Sequence, residues 1–259
     1  MLVPGNNNAK ALKPLKWYKS LATPKGRLQS GAFIAEGERA VKQIISGHPQ
    51  EVLEIVTSVA SPFDYTGYPV RHVTDAQMRS ISQMATPSVT MAIVKIPSGV
   101  FSGGLPQKVG DRVLLLEDIQ DPGNVGTLIR TAVAFGFSGV ILTDKCTDPF
   151  SPKCIQSTAG AVLSIWIRRT SRYVQLVDEL RKYGYSLISG DLNGQEDNST
   201  LSQTSKIVLA MGNEGSGLSQ AILDMSDYRF RIPIDQNKVE SLNVASSGAI
   251  CMYLSSLHQ

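Results

Sequence analysis

Asn124 and Arg130 are the first side chains whose setting suggests chemistry. They lie in Leu116-Glu-Asp-Ile-Gln-Asp-Pro-Gly-Asn-Val-Gly-Thr-Leu-Ile-Arg130. The apolar run Val113 to Leu116 predicts a buried strand, and Asp121-Pro122-Gly123 predicts a turn. Val125, Leu128, Ile129, Ala132 and Val133 then recur at helical spacing, with Asn124 as N-cap and Gly136 as C-cap. Open α/β sheets place ligand chemistry where such strands give way to helices. The plainer reading makes Asn124 only a cap and Arg130 a solvated helix residue.

Two further loops share that setting. Gly212-Asn-Glu-Gly-Ser-Gly-Leu-Ser219 follows the apolar run Ile207 to Met211, and Ile232 to Asn243 precedes a final helix over 242–257. All three loops leave the carboxyl ends of expected strands, so they should converge. Glycine in the second loop lets a ligand approach backbone closely. It is not a P-loop, because no Gly-Lys-Ser/Thr follows, and it does not fit G-x-G-x-x-G. The acidic-then-glycine signature of Rossmann-type methyltransferases is also missing. Cys146, Cys154 and Cys251 form no C-x-x-C pair, and His48, His72 and His258 complete no ligand set, so neither metal nor disulfides are expected.

The elements around these loops suggest an α/β protein. With 259 residues and 42% hydrophobic content, the chain can bury one large core or two modest ones. Residues 1–35 carry Lys10, Lys13, Lys16, Lys19, Lys25 and Arg27 and no acid, a local charge of +6 within a net +3. With Trp17 and Tyr18 interleaved, that suits a phosphate backbone, although a solvated amphipathic helix explains the charge as well. Strands are expected over 31–35, 52–59, 70–73 and 89–96, with helices over 36–46 and 75–84, the second capped by Thr74. Residues 97–110, rich in Gly, Pro and Ser, should be a linker that leaves the first domain a separable clamp. Strands near 112–117, 139–143, 164–167, 185–189, 206–211 and 228–234 then alternate with helices, the pattern of a parallel sheet covered on both faces. Residues 191–205 are expected to be a polar loop. No apolar run approaches the roughly 20 residues of a membrane span, and the N-terminus lacks a signal-like core. A cytoplasmic protein is expected.

The segments DPGNVGTLIRTAVAFG, LAMGNEGSGLS and IPIDQNKVESLNVASSGAI resemble, in order and spacing, the three motifs of the SpoU branch of the SPOUT RNA methyltransferases. GAFIAEGERAVKQIISG is similar to the small substrate-binding domain of its ribosomal-RNA members. The resemblance implies an RNA-binding domain over 1–105 and a SPOUT methyltransferase domain over 108–259, with a trefoil knot. It also implies a homodimer with the active site at the subunit interface, and S-adenosyl-L-methionine-dependent methylation of a ribose 2′-hydroxyl. The cofactor would lie near Thr143, Gly212, Ile232 and Leu242. Asn124 would orient Arg130 or the ribose, Glu214 would hold neighbouring groups, and Ser241 and Asn243 would pin substrate and loop. The plainer readings leave Glu214 bracing a turn and Asn243 capping the last helix.

A ribose hydroxyl is a poor nucleophile until its proton leaves, whereas a sulfonium methyl is already activated, so the protein must align the two and stabilise an alkoxide. A guanidinium at Arg130 suits bidentate grip of a phosphate better than proton removal. Two other readings stay open: a catalytically silent RNA-binding relative, and a nucleotide-binding enzyme using the glycine loop for phosphate. Intact Asn124, Arg130, Glu214 and Asn243 count against the first, and the lack of lysine in 212–219 against the second. The N-terminal region favours ribosomal over transfer RNA.

Overall fold

A computed structural model describes residues 13–58, 65–197 and 199–257. The first part comprises α1 (Leu15–Ser20), α2 (Pro24–Ser30), β1 (Ala32–Glu36), α3 (Glu38–Gly47), β2 (Val52–Thr57), β3 (Val70–His72), α4 (Asp75–Ile81) and β4 (Thr90–Lys95). The second comprises β5 (Arg112–Leu116), α5 (Pro122–Ala134), β6 (Gly139–Leu142), α6 (Pro152–Thr158), β7 (Trp166–Arg169), α7 (Tyr173–Lys182) and β8 (Ser186–Gln195). It closes with α8 (Ser199–Gln203), β9 (Ile207–Met211), α9 (Gln220–Met225), β10 (Tyr228–Phe230) and α10 (Val244–Ser256). Local chemistry sets many of these limits. Thr74 and Gln77 form a reciprocal capping box on α4, Pro152 opens α6, and Gly136 adopts φ 73° just past α5.

The first four strands form a sheet in the order β1-β4-β2-β3, with β4 antiparallel to both neighbours. The other six form a parallel sheet in the order β10-β8-β9-β5-β6-β7. Side-chain alternation divides each sheet between two layers. In β5, Leu114 and Leu116 enter the main core while Val113 and Leu115 pack with α7 residues. In β1, Phe33 and Ala35 enter that same main core, and Ala32 and Ile34 face α1 and α4.

Phe33 and Ala35 therefore join the two sheets through one continuous core. The Phe33 and Phe150 rings stack 5.1 Å apart, and a Cβ on Gly160 would lie 3.3 Å from the Ala40 carbonyl oxygen. Residues 97–110 lack helix and strand, as expected, yet they are not a free tether. Trp166 Nε1, Arg168 Nε and the Arg169 amide donate to the carbonyls of Val109, Gly104 and Val100. The separable clamp is thus corrected to a docked one: burying Val100 and Phe33 outweighs the freedom that the glycines offer.

Two other expectations change. Residues 191–205 are not a plain loop, because β8 continues to Gln195, where it pairs with Phe230 across a bulge, and α8 follows. Helix α9, capped by Ser219, fills a stretch between the glycine loop and the last strand to which no element was assigned.

Candidate active site

The site begins at the end of β5. Asp121, not Asn124, caps α5: its carboxylate accepts from the Asn124 amide at 3.0 Å, with Pro122 in the first turn. A hydrogen bond from Lys153 Nζ at 2.9 Å holds the Asp121 carboxyl below the usual carboxylate range. This corrects the expected cap and frees the Asn124 side chain, which donates from Nδ2 to Glu214 Oε1 at 2.7 Å.

The third loop closes on the same point. Asn243 caps α10, its Oδ1 accepting from the amides of Ala245 and Ser246, and its Nδ2 donates to Asn124 Oδ1 at 3.1 Å. The cap reading of Asn243 holds, and the same side chain also reaches Asn124. Because its oxygen is committed to the helix end, only its NH2 can face Asn124. Asn124 must then accept on Oδ1 and donate on Nδ2, so one cap fixes the direction of a chain running Asn243, Asn124, Glu214.

Groups that the sequence did not single out shape the glycine loop. Asn213 Oδ1 accepts from the amides of Gly215 and Ser216, an Asx-type turn, while its Nδ2 donates to the Asp118 carbonyl at 2.9 Å. Asp118 itself sits at φ 58°. Buried Glu117 accepts from the Ser219 amide and from the Tyr173 hydroxyl, both at 2.7 Å. Burial first, then this bond, pushes the Tyr173 phenol up to about 12. The signal for Glu117 was visible as one carboxylate ending the apolar run 113–116, since a buried charge needs partners. A Cβ on Gly212 would lie 2.3 Å from the Gly217 carbonyl carbon, so this glycine lets the loop fold back upon itself.

Beside the loop lies a cleft of about 300 Å³, lined among others by Gly212, Glu214, Leu218, Ile232, Ser241 and Leu242. The expected cofactor residues Gly212, Ile232 and Leu242 thus line the same cleft as Ser241 and Glu214. Thr143 does not line it. Its buried hydroxyl donates to Asp118 Oδ1 at 2.6 Å and accepts from the Asp118 amide, bracing the loop after β5. Cys251 also lines the cleft, but burial pushes its thiol up to about 12, which leaves it no nucleophile at neutral pH.

Arg130 is on α5 six residues beyond Asn124. It is exposed, it does not line the cleft, and it makes no hydrogen bond or ion pair among the described residues. Its charge is free for an incoming anion.

The basic segment divides. Lys10 lies outside the described residues. Lys13, Lys16, Lys19 and Lys25 are exposed, with Lys13 over the Trp17 ring at 5.6 Å. Arg27 is 2% exposed, pairs with Asp148 at 2.6 Å and donates to the carbonyls of Leu21 and Ala22. We therefore correct its assignment from RNA contact to structural tie, because a buried charge with three partners has none left for phosphate. Among the described residues there is no His/Cys/Asp/Glu cluster suited to a metal and no helix long and apolar enough to cross a membrane.

A family model for the SpoU rRNA Methylase family matches residues 111–253, the span of the parallel sheet and all three loops. The 23S rRNA (guanosine(2553)-2′-O)-methyltransferase RlmP of Bacillus subtilis is 31% identical over 92% of this chain and 94% of its own. A solved structure of a TrmH-family protein from Porphyromonas gingivalis, assigned as an RNA methyltransferase, is 30% identical. It covers 95% of this chain and 98% of its own with a TM-score of 0.78. An AdoMet-bound rRNA methyltransferase from Sinorhizobium meliloti is 28% identical, covering 93% of each chain with a TM-score of 0.77. Sequence and fold agree across nearly the whole chain, and the protein belongs to the SpoU rRNA methylase family.

Proposed function

We propose that this protein transfers the methyl group of S-adenosyl-L-methionine to a ribose 2′-hydroxyl of large-subunit ribosomal RNA. The observation that carries the reading is the Asn243–Asn124–Glu214 chain, which ties all three family loops together at the rim of one cleft. The relative from Bacillus subtilis, named as a 23S rRNA 2′-O-methyltransferase, supports the substrate, and the AdoMet-bound relative supports the cofactor.

The cleft fits that cofactor chemically. Leu218, Ile232 and Leu242 offer apolar surface for a purine, while the glycine loop offers backbone donors and acceptors without side chains in the way. When bound, the cofactor supplies a sulfonium methyl group already activated for transfer. The protein has then to hold the hydroxyl in line and stabilise charge on its oxygen. Arg130 grips the phosphate next to the target ribose and offsets the negative charge that grows as the hydroxyl proton leaves. Asn124, with its direction fixed by Asn243, holds Glu214 and the glycine loop in register. Ser241 binds substrate from the opposite lip.

The unit is a homodimer in this reading. Ile250, Tyr253 and Leu257 are exposed on one stripe of α10, and the Tyr253 ring leans on Phe135 at 5.9 Å. A second copy covering that stripe would also account for Arg130, which stays out of the cleft of its own chain. A trefoil knot in the last segment is supported by β10 returning to the sheet edge while α10 packs back on α5 and β9. The substrate domain is the first sheet with its basic helices, and the site of action is the cytoplasm, where ribosomes are assembled.

Transfer of a tritiated methyl group from the cofactor to 23S rRNA, with 16S rRNA and transfer RNA alongside, tests the proposal. The expected product is one 2′-O-methylated nucleotide in 23S rRNA, found by ribose-methylation mapping. Labelling of transfer RNA alone, or of no RNA despite bound S-adenosylhomocysteine, would overturn it.

A further inference from the structure

A second apolar groove lies away from the cleft, between α2 and the turn that follows β4. Leu28 and Phe101 line it and are 65% and 50% exposed, with Gly31, Ile96, Pro97 and Val100 beneath them. Exposed phenylalanine on a turn is commonly mobile, but this one is pinned. The Ser102 amide donates to the Gly99 carbonyl to close the turn, and the Arg169 amide donates to the Val100 carbonyl at 2.7 Å. Gly99, at φ 85°, lies so close to Arg168 that a Cβ there would come within 3.2 Å of the guanidinium. Buried Val100 anchors the turn below. The ring is thus presented to solvent on rigid backbone.

Position and charge indicate what covers it. Residues 97–110 run back along β7, with Val109 beside Trp166 at the start and Val100 beside Arg169 at the end. Phe101 therefore stands at the carboxyl end of β7, the same end of the parallel sheet as the cleft. Strand β5, which leads into the Asn124 loop, lies two strands inward of β7, and β9 and β8, whose ends carry the cleft, lie three and four strands inward, roughly 15–20 Å from β7. No groove-lining residue is acidic, and residues 13–35 and 95–110 contain no Asp or Glu. Exposed Lys25 stands one helical turn before Leu28, and Arg172 lies against Gly103. Neither forms an ion pair among the described residues. A flat aromatic face flanked by two unpaired cations matches a nucleobase with phosphates on either side.

We propose that this groove docks an unstacked base of single-stranded RNA, with Phe101 as its stacking face, Leu28 as the facing wall and Lys25 and Arg172 on the flanking phosphates. The proposal rests on the RNA-methyltransferase reading and adds a second contact point to it. A strand bound there and at the cleft would be held on both sides of the modified nucleotide, so the enzyme would select targets in loops or bulges over uninterrupted duplex.

Binding of a short unstructured RNA, and of the same strand annealed to its complement, tests this with the full chain. Phe101→Ala should weaken single-strand binding roughly 5- to 100-fold, the range for losing one base–aromatic stack, and affect the duplex less. Phe101→Tyr should restore it, and S-adenosylhomocysteine affinity should stay unchanged in both. Replacing Lys25 and Arg172 with glutamine should flatten the log–log salt dependence by about 0.7 per residue. In methyl transfer, Phe101→Ala should raise the KM for RNA and leave kcat near wild type. Wild-type affinity in Phe101→Ala would overturn the proposal, as would loss of dimer mass in sedimentation, which would make the groove an interface between copies. Wild-type protein that binds cofactor product but no RNA would overturn this proposal and the RNA-methyltransferase reading together.

Discussion

Asn243→Asp separates capping from alignment within a single residue. Aspartate caps a helix as well as asparagine, and its charge at a helix N-terminus is favourable by about 0.3–1 kcal/mol, so α10 should keep its stability. What changes is the group facing Asn124. The Nδ2 donor, 3.1 Å from Asn124 Oδ1, becomes a carboxylate oxygen, and two acceptors then oppose each other. Asn124 can restore that contact only by rotating its amide, which turns Oδ1 toward Glu214 in place of the donor now 2.7 Å away. Either way one link of the chain is lost. At this exposed position solvent screens the loss, and a lost hydrogen bond costs about 0.5–1.5 kcal/mol. If that cost falls on the aligned state of the glycine loop, kcat/KM should fall roughly 2- to 12-fold. Asn243→Ala is the control, because it loses the cap as well, at about 1 kcal/mol, and should lower Tm by roughly 2–4 °C. Steady-state methyl transfer together with a thermal melt reads both. Asn243→Asp with wild-type kcat/KM would show that the amide chain does not align the loop.

Arg130→Ala should abolish methyl transfer while calorimetric affinity for S-adenosylhomocysteine stays near wild type, and Arg130→Lys should rescue little, since an ammonium cannot grip phosphate bidentately. Turnover in Arg130→Ala would sink the phosphate assignment. Gly212→Val places side-chain atoms on the Gly217 backbone, so the variant should keep its circular dichroism and lose cofactor binding; normal binding would locate the pocket elsewhere. Replacing Lys13, Lys16 and Lys19 with glutamine should weaken RNA binding and flatten its salt dependence by about 0.7–0.9 per contact, whereas an unchanged slope would mean that they only keep the protein soluble. Arg27→Met should do the reverse, leaving the salt slope intact. It should cost about 3 kcal/mol by stranding Asp148, at the low end for buried pairs because that carboxylate is 17% exposed, and a Tm within 2 °C of wild type would contradict the buried tie.

Elements governed by local chemistry were legible in the sequence. The strand over 113–116, the helix closed by Gly136, the Thr74 cap and the Ser151-Pro152 helix start all follow from side-chain period and capping geometry. The convergence of three loops followed from all three leaving the carboxyl ends of strands in a parallel sheet. What local pattern did not carry was the partner of each polar group. Asn124 and Asp121 are both good caps three residues apart, and Pro122 decides between them, because proline is accommodated in the first turn and so puts the cap just before it. Thr143 stood at the right strand end, but its hydroxyl is consumed by Asp118, whose left-handed backbone no pattern foretells.

Arg27 and Phe101 show most clearly how composition misleads when burial is unknown. Six cations without an acid read as one electrostatic surface, yet the helix that carries Lys25 and Leu28 outward turns Arg27 inward, two residues from one and one from the other. Its partner Asp148 lies 121 residues away, a separation across which no local period can report. The glycine-rich run 97–110 misled in the opposite sense. Its composition favours a flexible tether, but three side-chain or backbone donors from β7 and one buried valine hold it against the sheet edge. Fixing that run has a consequence for function. With the first sheet fused to the second, an RNA strand held on the basic helices, as proposed above, would be presented to the three loops at a set angle. The entropy of ordering two domains is then met on folding, not on binding, which favours a preorganised RNA surface.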